Sequence, residues 1–428
     1  MIKKSAFFIV ALFVCSLVNA QSIDKIINVS EVNRIEKTLS SDDMKGRAIF
    51  TDGIDKAATF ISNEFKQTGL QKLPGLDSYM QNFVLLKPVQ VSASIILDNN
   101  KMDAKNLMVV TPKKVIQINE RSGYEQEQVK SMDGFFKTAS AAIKEGKKKI
   151  FWIDTSMSTI FPRLNFFKRS LDPGAGDVIF VLTSTIPKTF SIEATHNFEE
   201  KKLANVVGEI KGKTRPNEFV VFSAHYDHLG IGKAVNGDSI YNGANDDASG
   251  TTAVILLAKY FKALNNNDRT IIFVAFTGEE SGGLGSGYFS NHIPPAAVTA
   301  MFNIEMIGTD SKWGLNAAYI TGYEKTDMGK ILQKNLVGSD FNFYPDPYTE
   351  ENLFYRSDNA TLARLGVPAH TISTSKMDSE PNYHKVSDEI STLNMDNMAA
   401  IIRSVAISST SIIQGKDTPT RVKTEDLK

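Results

Sequence analysis

Thr270-Ile-Ile-Phe-Val-Ala-Phe276, followed by Thr277-Gly-Glu-Glu280, decides how this chain is read. The seven-residue run is almost wholly apolar and rich in β-branched and aromatic types, the composition of a strand buried on both faces. Open α/β sheets bind ligands beyond the carboxyl ends of such strands. Glu279 and Glu280 stand at that end. Adjacent side chains point in different directions, so one carboxylate can bind a metal ion while its neighbour faces a bound water.

Working outward, the pattern from Leu203 onward is regular. Phe219–Phe222, Ala300–Ile304, Ala317–Ile320 and Pro368–Ile372 read as further strands. Ser249–Leu264 is predicted to be helical because Ala253, Leu256, Leu257, Tyr260, Phe261 and Leu264 recur at three and four. Met328–Leu336, Ala360–Leu365 and Met395–Ile413 read as helices too. Strands alternating with helices predict an α/β fold, a mostly parallel mixed sheet sandwiched by helices. Toward the N-terminus, Ile54–Leu70 has helical periodicity and Gly69 stops it. Between about residues 89 and 198 the texture changes to short β-like runs (Ala93–Leu97, Leu107–Val110, Ile150–Ile153, Val178–Leu182) separated by Lys-rich segments. This stretch reads as an inserted β-rich module without a cluster of ligand residues. The expected organisation is therefore a leader over 1–20, a main domain built from 21–88 and 199–428, and an insert over 89–198.

The leader has a basic start at Lys3-Lys4, an apolar stretch from Ala6 to Val18 and a small residue, Ala20, ahead of Gln21. That is the pattern of a cleavable secretory signal, too short for a stable membrane span, and it points to a secreted or periplasmic protein. Val14 before Cys15 is too bulky for a lipoprotein site. Cys15 is the only cysteine of the 428 residues, so the mature chain has neither disulfides nor thiolate ligands. Any metal must be held by His, Asp and Glu. Lys plus Arg and Asp plus Glu balance at 48 each, so no net field favours nucleic acid or an anionic membrane.

Four further elements could carry chemistry. His225 directly follows a strand, and Asp227 projects to the same side, where it can orient the imidazole or a catalytic carboxylate. Asp246 lies in Gly243-Ala-Asn-Asp-Asp-Ala-Ser-Gly250, a stretch that reads equally as a polar turn capping the next helix through Asp247 or Ser249. Glu305 ends an apolar strand, and a carboxylate in such a place must be paired or coordinate a metal. His384 sits in a polar loop before the last helix. His228, His292, His196 and His370 read as structural or surface histidines. Two His, one Asp and two Glu near successive strand ends suit zinc with nitrogen and oxygen donors.

At this point the chain resembles the M28 family of co-catalytic zinc peptidases, whose best-known members are secreted aminopeptidases. The resemblance rests on Ser223-Ala-His-Tyr-Asp-His-Leu-Gly230, Gly243–Gly250, Phe276-Thr-Gly-Glu-Glu280, Asn303-Ile-Glu-Met-Ile-Gly308, Arg356-Ser-Asp-Asn-Ala360 with Gly366-Val-Pro-Ala369, and Tyr383-His-Lys-Val-Ser-Asp388. The stretch around Gly46-Arg47 is similar to the family's N-terminal region. The resemblance implies two zinc ions per chain, one held by His225 and Glu305, the other by Glu280 and His384, with Asp246 bridging. It implies Glu279 as general acid/base, Asp227 as its orienting partner, a cis peptide at Asp246–Asp247, and peptide or protein N-termini as substrate. The chain departs from the family at Glu305, where most aminopeptidase-like members have Asp, and at Asn359, where the family has His. Alternatives within the same fold are a carboxypeptidase or dipeptidase, a glutaminyl-cyclase-like acyltransferase using one zinc, and a non-catalytic peptide-binding ectodomain.

Overall fold

The computed structural model describes residues 23–168 and 170–427, so the secretory-signal reading of residues 1–20 lies outside the described residues. The described chain divides into two compact units, one of residues up to Asn82 together with Ala204 onward, the other Phe83–Leu203. No described helix is long and apolar enough to cross a membrane.

In the first unit the strand order is Asn342–Pro345, Ala317–Ile320, Ala369–Ser373, Val298–Ile304, Arg215–His225, Arg269–Phe276 and then the C-terminal part of Phe190–Ile210. Arg269–Phe276 and Val298–Ile304 both run parallel to Arg215–His225 between them. Val298–Ile304 is also parallel to Ala369–Ser373, whereas Phe190–Ile210 pairs antiparallel with Arg269–Phe276, and Ala317–Ile320 is antiparallel to Ala369–Ser373 but parallel to Asn342–Pro345. The sheet is thus mixed and mostly parallel, as the sequence pattern predicts.

Alternation sorts its side chains onto two faces. On one face Phe222 stacks between Phe273 and Phe302, at centroid distances of 5.7 and 4.9 Å, and meets Phe261 of helix Ser249–Leu264. Helices Val29–Leu39, Asp52–Thr68 and Met395–Ser408 complete that layer through Ile35, Ile61, Phe65, Ile401 and Val405. On the other face Val221, Ile272 and Val274 pack against Phe289 and Leu362 of helices Leu284–Asn291 and Asn359–Ala363. Burying each such side chain contributes about 1.5–3 kcal/mol, which fixes the register and, with it, the strand ends. Phe276 pairs with His225 and Asn303 with Ser223, so the segments beyond the three central strands emerge at one edge of the sheet.

The second unit holds a four-stranded sheet in the order Leu107–Val110, Asp177–Leu182, Lys148–Ile153, Glu125–Val129, with helix Phe135–Lys144. Phe151 and Phe180 stack at 5.6 Å, and Phe135 packs edge-on against Phe151. The opposite face, with Ile150, Trp152 and Ile179, packs with Ile116, Ile118 and Ile192.

Several elements differ from the sequence reading. The short run Ala93–Leu97 is the end of one long strand, Met80–Leu97. Polar residues such as Gln81, Lys87 and Gln90 hide that strand's length from a hydrophobicity pattern. Helix Val29–Leu39, capped by the Asn28 side chain, was not expected. The closing helix stops at Ser408 and a short turn, Thr410–Ile413, follows. There Ser408 and Ser409 turn their hydroxyls back onto main-chain carbonyls, an alternative to the regular helix ladder.

Candidate metal centre

The site forms at the carboxyl edge of the central strands, where each donor has a local reason for its place. His225 is the last residue of its strand and is buried. Its Nδ1 donates to the main-chain carbonyl of Asp227 at 3.1 Å, which fixes the tautomer and leaves Nε2 as an acceptor, 3.2 Å from Asp246 Oδ1. The Asp227 carboxylate lies farther off, at 3.8 Å, and instead accepts the Glu279 N–H at 3.1 Å. Asp227 therefore orients the ring through its backbone and the Glu279 segment through its side chain.

The Gly243–Gly250 stretch serves as cap and as donor at once, with the two roles on different residues. Asp247 accepts N–H groups from Gly250, His225 and Met306, tying the helix start to two strand ends. Asp246 turns away from it, and the peptide between them is cis, as the resemblance implies. Gly250 has to be glycine. A Cβ there would stand 2.1 Å from the Ile304 carbonyl and 2.5 Å from the Asp247 carboxylate, so the loop and the strand leading to Glu305 could not approach.

Asp246 is the hub. Its Oδ1 faces His225, and its Oδ2 lies 3.2 Å from His384 Nε2. Glu280 Oε1 sits 3.1 Å from the same His384 nitrogen. One oxygen or nitrogen atom each from His225, Asp246 and Glu305 lies within 4.8 Å of the others, as does one each from His228, Asp246 and Glu280. The five expected donors are thus gathered around one carboxylate, and His228 joins them although it reads as structural in the sequence. Of the other histidines, His196 and His370 are buried elsewhere and His292 lies on an exposed turn.

The electrostatics of this cluster are those of too many carboxylates in one buried place. Burial pushes Asp246 up, yet His225 and His384 hold it well below the usual carboxylate range. Glu280 is likewise raised by burial but brought down to about 2 by His228 and His384. His384 is pushed up to about 10 by Asp246 and Glu280. Burial lifts Glu305 to about 7 against the pull of His225. The Glu279 carboxyl is raised well above its ordinary value by burial, opposed by His225 and reinforced by Glu305, Asp358 and Asp227. His225 Nε2, Glu280 Oε1 and Glu305 Oε2 are all buried without a hydrogen-bond partner. Orphaned acceptors that converge on common points are costly unless a cation satisfies them. Imidazole and carboxylate donors in two sets with a shared Asp fit zinc.

Two residues without an assigned role in the sequence hold the loops in place. The Arg47 guanidinium is buried and donates to the carbonyls of Leu39, Tyr226, Asn242 and Gly243, clamping the main chain next to His225 and before Asp246. The Asp388 carboxylate accepts the N–H groups of Asn245 and Asp246 at 2.8 and 3.0 Å. Each lies in a motif that carries the resemblance, but nothing in its spacing marks it as a clamp. Asn359 is fully buried and bonds Phe354, Ala369 and Thr371, a packing role. Beside Glu305 a cavity opens between Tyr319, Leu353, Arg356, Met377 and Tyr383.

Comparison with known proteins gives a consistent set. Residues 205–408 match the model of peptidase family M28. A probable zinc metalloprotease of Pyricularia oryzae is 36% identical over 112 residues, 26% of this chain and 22% of that protein. An aminopeptidase of Bacillus subtilis (strain 168) is 30% identical over 132 residues, 30% of this chain and 26% of that protein. The matches thus span about a quarter of these relatives' own length. Among solved structures, an aminopeptidase from Aneurinibacillus sp. strain AM-1 aligns with a TM-score of 0.54 at 15% identity, covering 95% of this chain and 98% of its own. A zinc aminopeptidase from Bacillus subtilis aligns equally well, at 16% identity over 94% of this chain and 99% of its own, and both share the fold.

Proposed function

Because residues 205–408 belong to peptidase family M28, we propose that this chain is an exported dizinc exopeptidase that removes residues from peptide N-termini. The observation that carries the reading is the pair of groupings that share Asp246, one with His225 and Glu305 and one with His228 and Glu280, with buried unpartnered atoms on His225, His228, Glu280 and Glu305. At the second grouping His384 lies 3.2 Å from Asp246 and 3.1 Å from Glu280. In this reading His225, Asp246 and Glu305 hold one zinc, and Asp246, Glu280 and His384 hold the other. Two groupings favour two ions over the single ion of a cyclase-like acyltransferase, and a complete donor set argues against a non-catalytic relic.

Bound zinc supplies a Lewis acid for the scissile carbonyl and a water whose pKa falls toward neutrality. Glu279 takes the proton from the attacking water and returns it to the leaving amine. Without metal, burial raises the Glu279 carboxyl, opposed by His225 and reinforced by Glu305, Asp358 and Asp227; the charge of bound cations would draw it back toward the carboxylate that accepts the first proton. Asp227 keeps that carboxyl near the site through the Glu279 N–H. The cavity beside Glu305 is walled by Tyr319, Leu353 and Met377 but also by Arg356, Ser357 and Thr371, so it offers a substrate side chain both apolar and polar contacts.

The test is a panel of aminoacyl-anilides with free and acetylated amino groups, assayed with and without chelator. The expected result is hydrolysis of the free-amine substrates, loss with chelator and recovery with zinc. Zinc-loaded protein that cleaves none of them, or chelated protein that cleaves them unchanged, overturns the proposal.

A further inference from the structure

His228 is the one donor at the centre to which the family resemblance gives no role. Its side chain is fully buried. Nδ1 lies 2.9 Å from Glu280 Oε1 and 4.0 Å from Asp246 Oδ2. Despite the short distance, neither His228 nitrogen nor Glu280 Oε1 has a partner in hydrogen-bond geometry. A ring held only to orient Glu280 would direct its N–H along that line. The ring is also pinned against Gly243, where a Cβ would stand 2.5 Å from two of its carbons, and the His228 N–H donates to the Arg47 carbonyl at 3.2 Å. His384, in contrast, is about one-third exposed and lies on a loop residue with φ of 56°.

We propose that His228 is a direct fourth protein ligand of the cation bound by Asp246, Glu280 and His384. Four of the six donor pairs have separations that fit one shared ion, and His228, Asp246 and Glu280 each bring an atom within 4.8 Å of the others. Donor atoms about 2.0–2.2 Å from a zinc can be no more than roughly 4.4 Å apart. The pairs His384–Asp246, His384–Glu280, His228–Glu280 and His228–Asp246 measure 3.2, 3.1, 2.9 and 4.0 Å. The two sites then differ in donor number. His228 would add a fourth protein donor at the site of Asp246, Glu280 and His384, one more than His225, Asp246 and Glu305 would supply at the other. The inference rests on the two-cation reading above and deepens it.

The test loads the full chain with Co2+ in place of zinc and records its proton NMR spectrum alongside metal stoichiometry. The expected result is two Co2+ per chain and contact-shifted ring protons from three imidazoles, one set of which disappears in His228→Gln. A chelator should strip the His225 ion first, and His228→Gln should weaken the other site by about 100-fold or more, beyond the 10–100-fold typical of an orienting partner. Two bound Co2+ with contact shifts from only two imidazoles overturns the inference and leaves the dizinc proposal standing. A chain that binds no Co2+ overturns both. If His228→Gln fails to fold, the imidazole count in the unsubstituted chain decides alone.

Discussion

The two compact units handle a buried carboxylate in opposite ways. In the unit of Phe83–Leu203, Asp177 is 3% exposed and fully partnered, by the Thr111 hydroxyl at 2.5 Å, Lys113 at 2.6 Å and Tyr124 at 3.3 Å. In the larger unit Asp246, Glu280 and Glu305 converge with their imidazoles while buried atoms among them stay unpaired. Both units have well-packed cores, so core quality does not mark the site. The mark is several unsatisfied buried atoms converging on one place, since His196 of the smaller unit also buries both ring nitrogens without a partner yet belongs to no grouping of potential ligands. Among the described residues, groupings of potential metal ligands occur only in the larger unit.

That contrast can be broken or sharpened by mutation. Asp246→Ala removes the shared donor, so we expect the chain to lose both cations and all detectable anilide hydrolysis. Metal analysis of the folded variant checks this. Glu279→Gln should leave cation content unchanged and lower kcat by about 10²–10⁴-fold, because it deletes only the proton carrier. Full turnover with normal metal content would remove Glu279 from the mechanism. In the smaller unit Phe180→Ala should cost about 3–5 kcal/mol of that unit's stability through lost packing with Phe151 and Phe167. Its thermal transition should fall while kcat at low temperature stays the same. A matching loss of kcat would mean that the smaller unit contributes to the chemistry.

The smallest effect concerns acid stability. Burial lowers His370 to about 4, and its ring is held by Thr326 at 2.7 Å and by the Thr321 carbonyl at 2.8 Å. An unfolded chain takes up this proton below about pH 6.5, whereas the folded chain resists until about pH 4. The stability contribution is therefore intact above about 6.5 and is lost as pH falls toward 4, up to about 3 kcal/mol. Urea unfolding at pH 7.5 and 4.5 should show a smaller pH dependence for His370→Gln than for the unsubstituted chain. Equal dependence would contradict the assignment.

Much of the larger unit was legible in the sequence because its signals are local. Helix Ser249–Leu264 has the bounds that its periodicity predicts, and the β-branched runs of the central strands declare burial on both faces. The donors could be found because they sit at strand ends and in motifs. What escaped depends on contacts distant in sequence. Arg47 reaches carbonyls about 180 and 195 residues away, and no pattern within Gly46-Arg47 announces them. Asp388 acts on N–H groups more than 140 residues earlier. His228 looked structural because its chemistry depends on where Glu280 lands. Of the long strand Met80–Leu97 only Ala93–Leu97 was read, and Phe190–Ile210 was not read as a strand, because polar stretches such as Glu199–Lys202 interrupt its apolar pattern.

The most direct test of the central claim is the zinc content of purified chain dialysed against buffered zinc, measured beside Asp246→Ala. Two equivalents are expected in the unsubstituted chain and none in the variant. An unsubstituted chain without zinc, or a variant that keeps both ions, would contradict it.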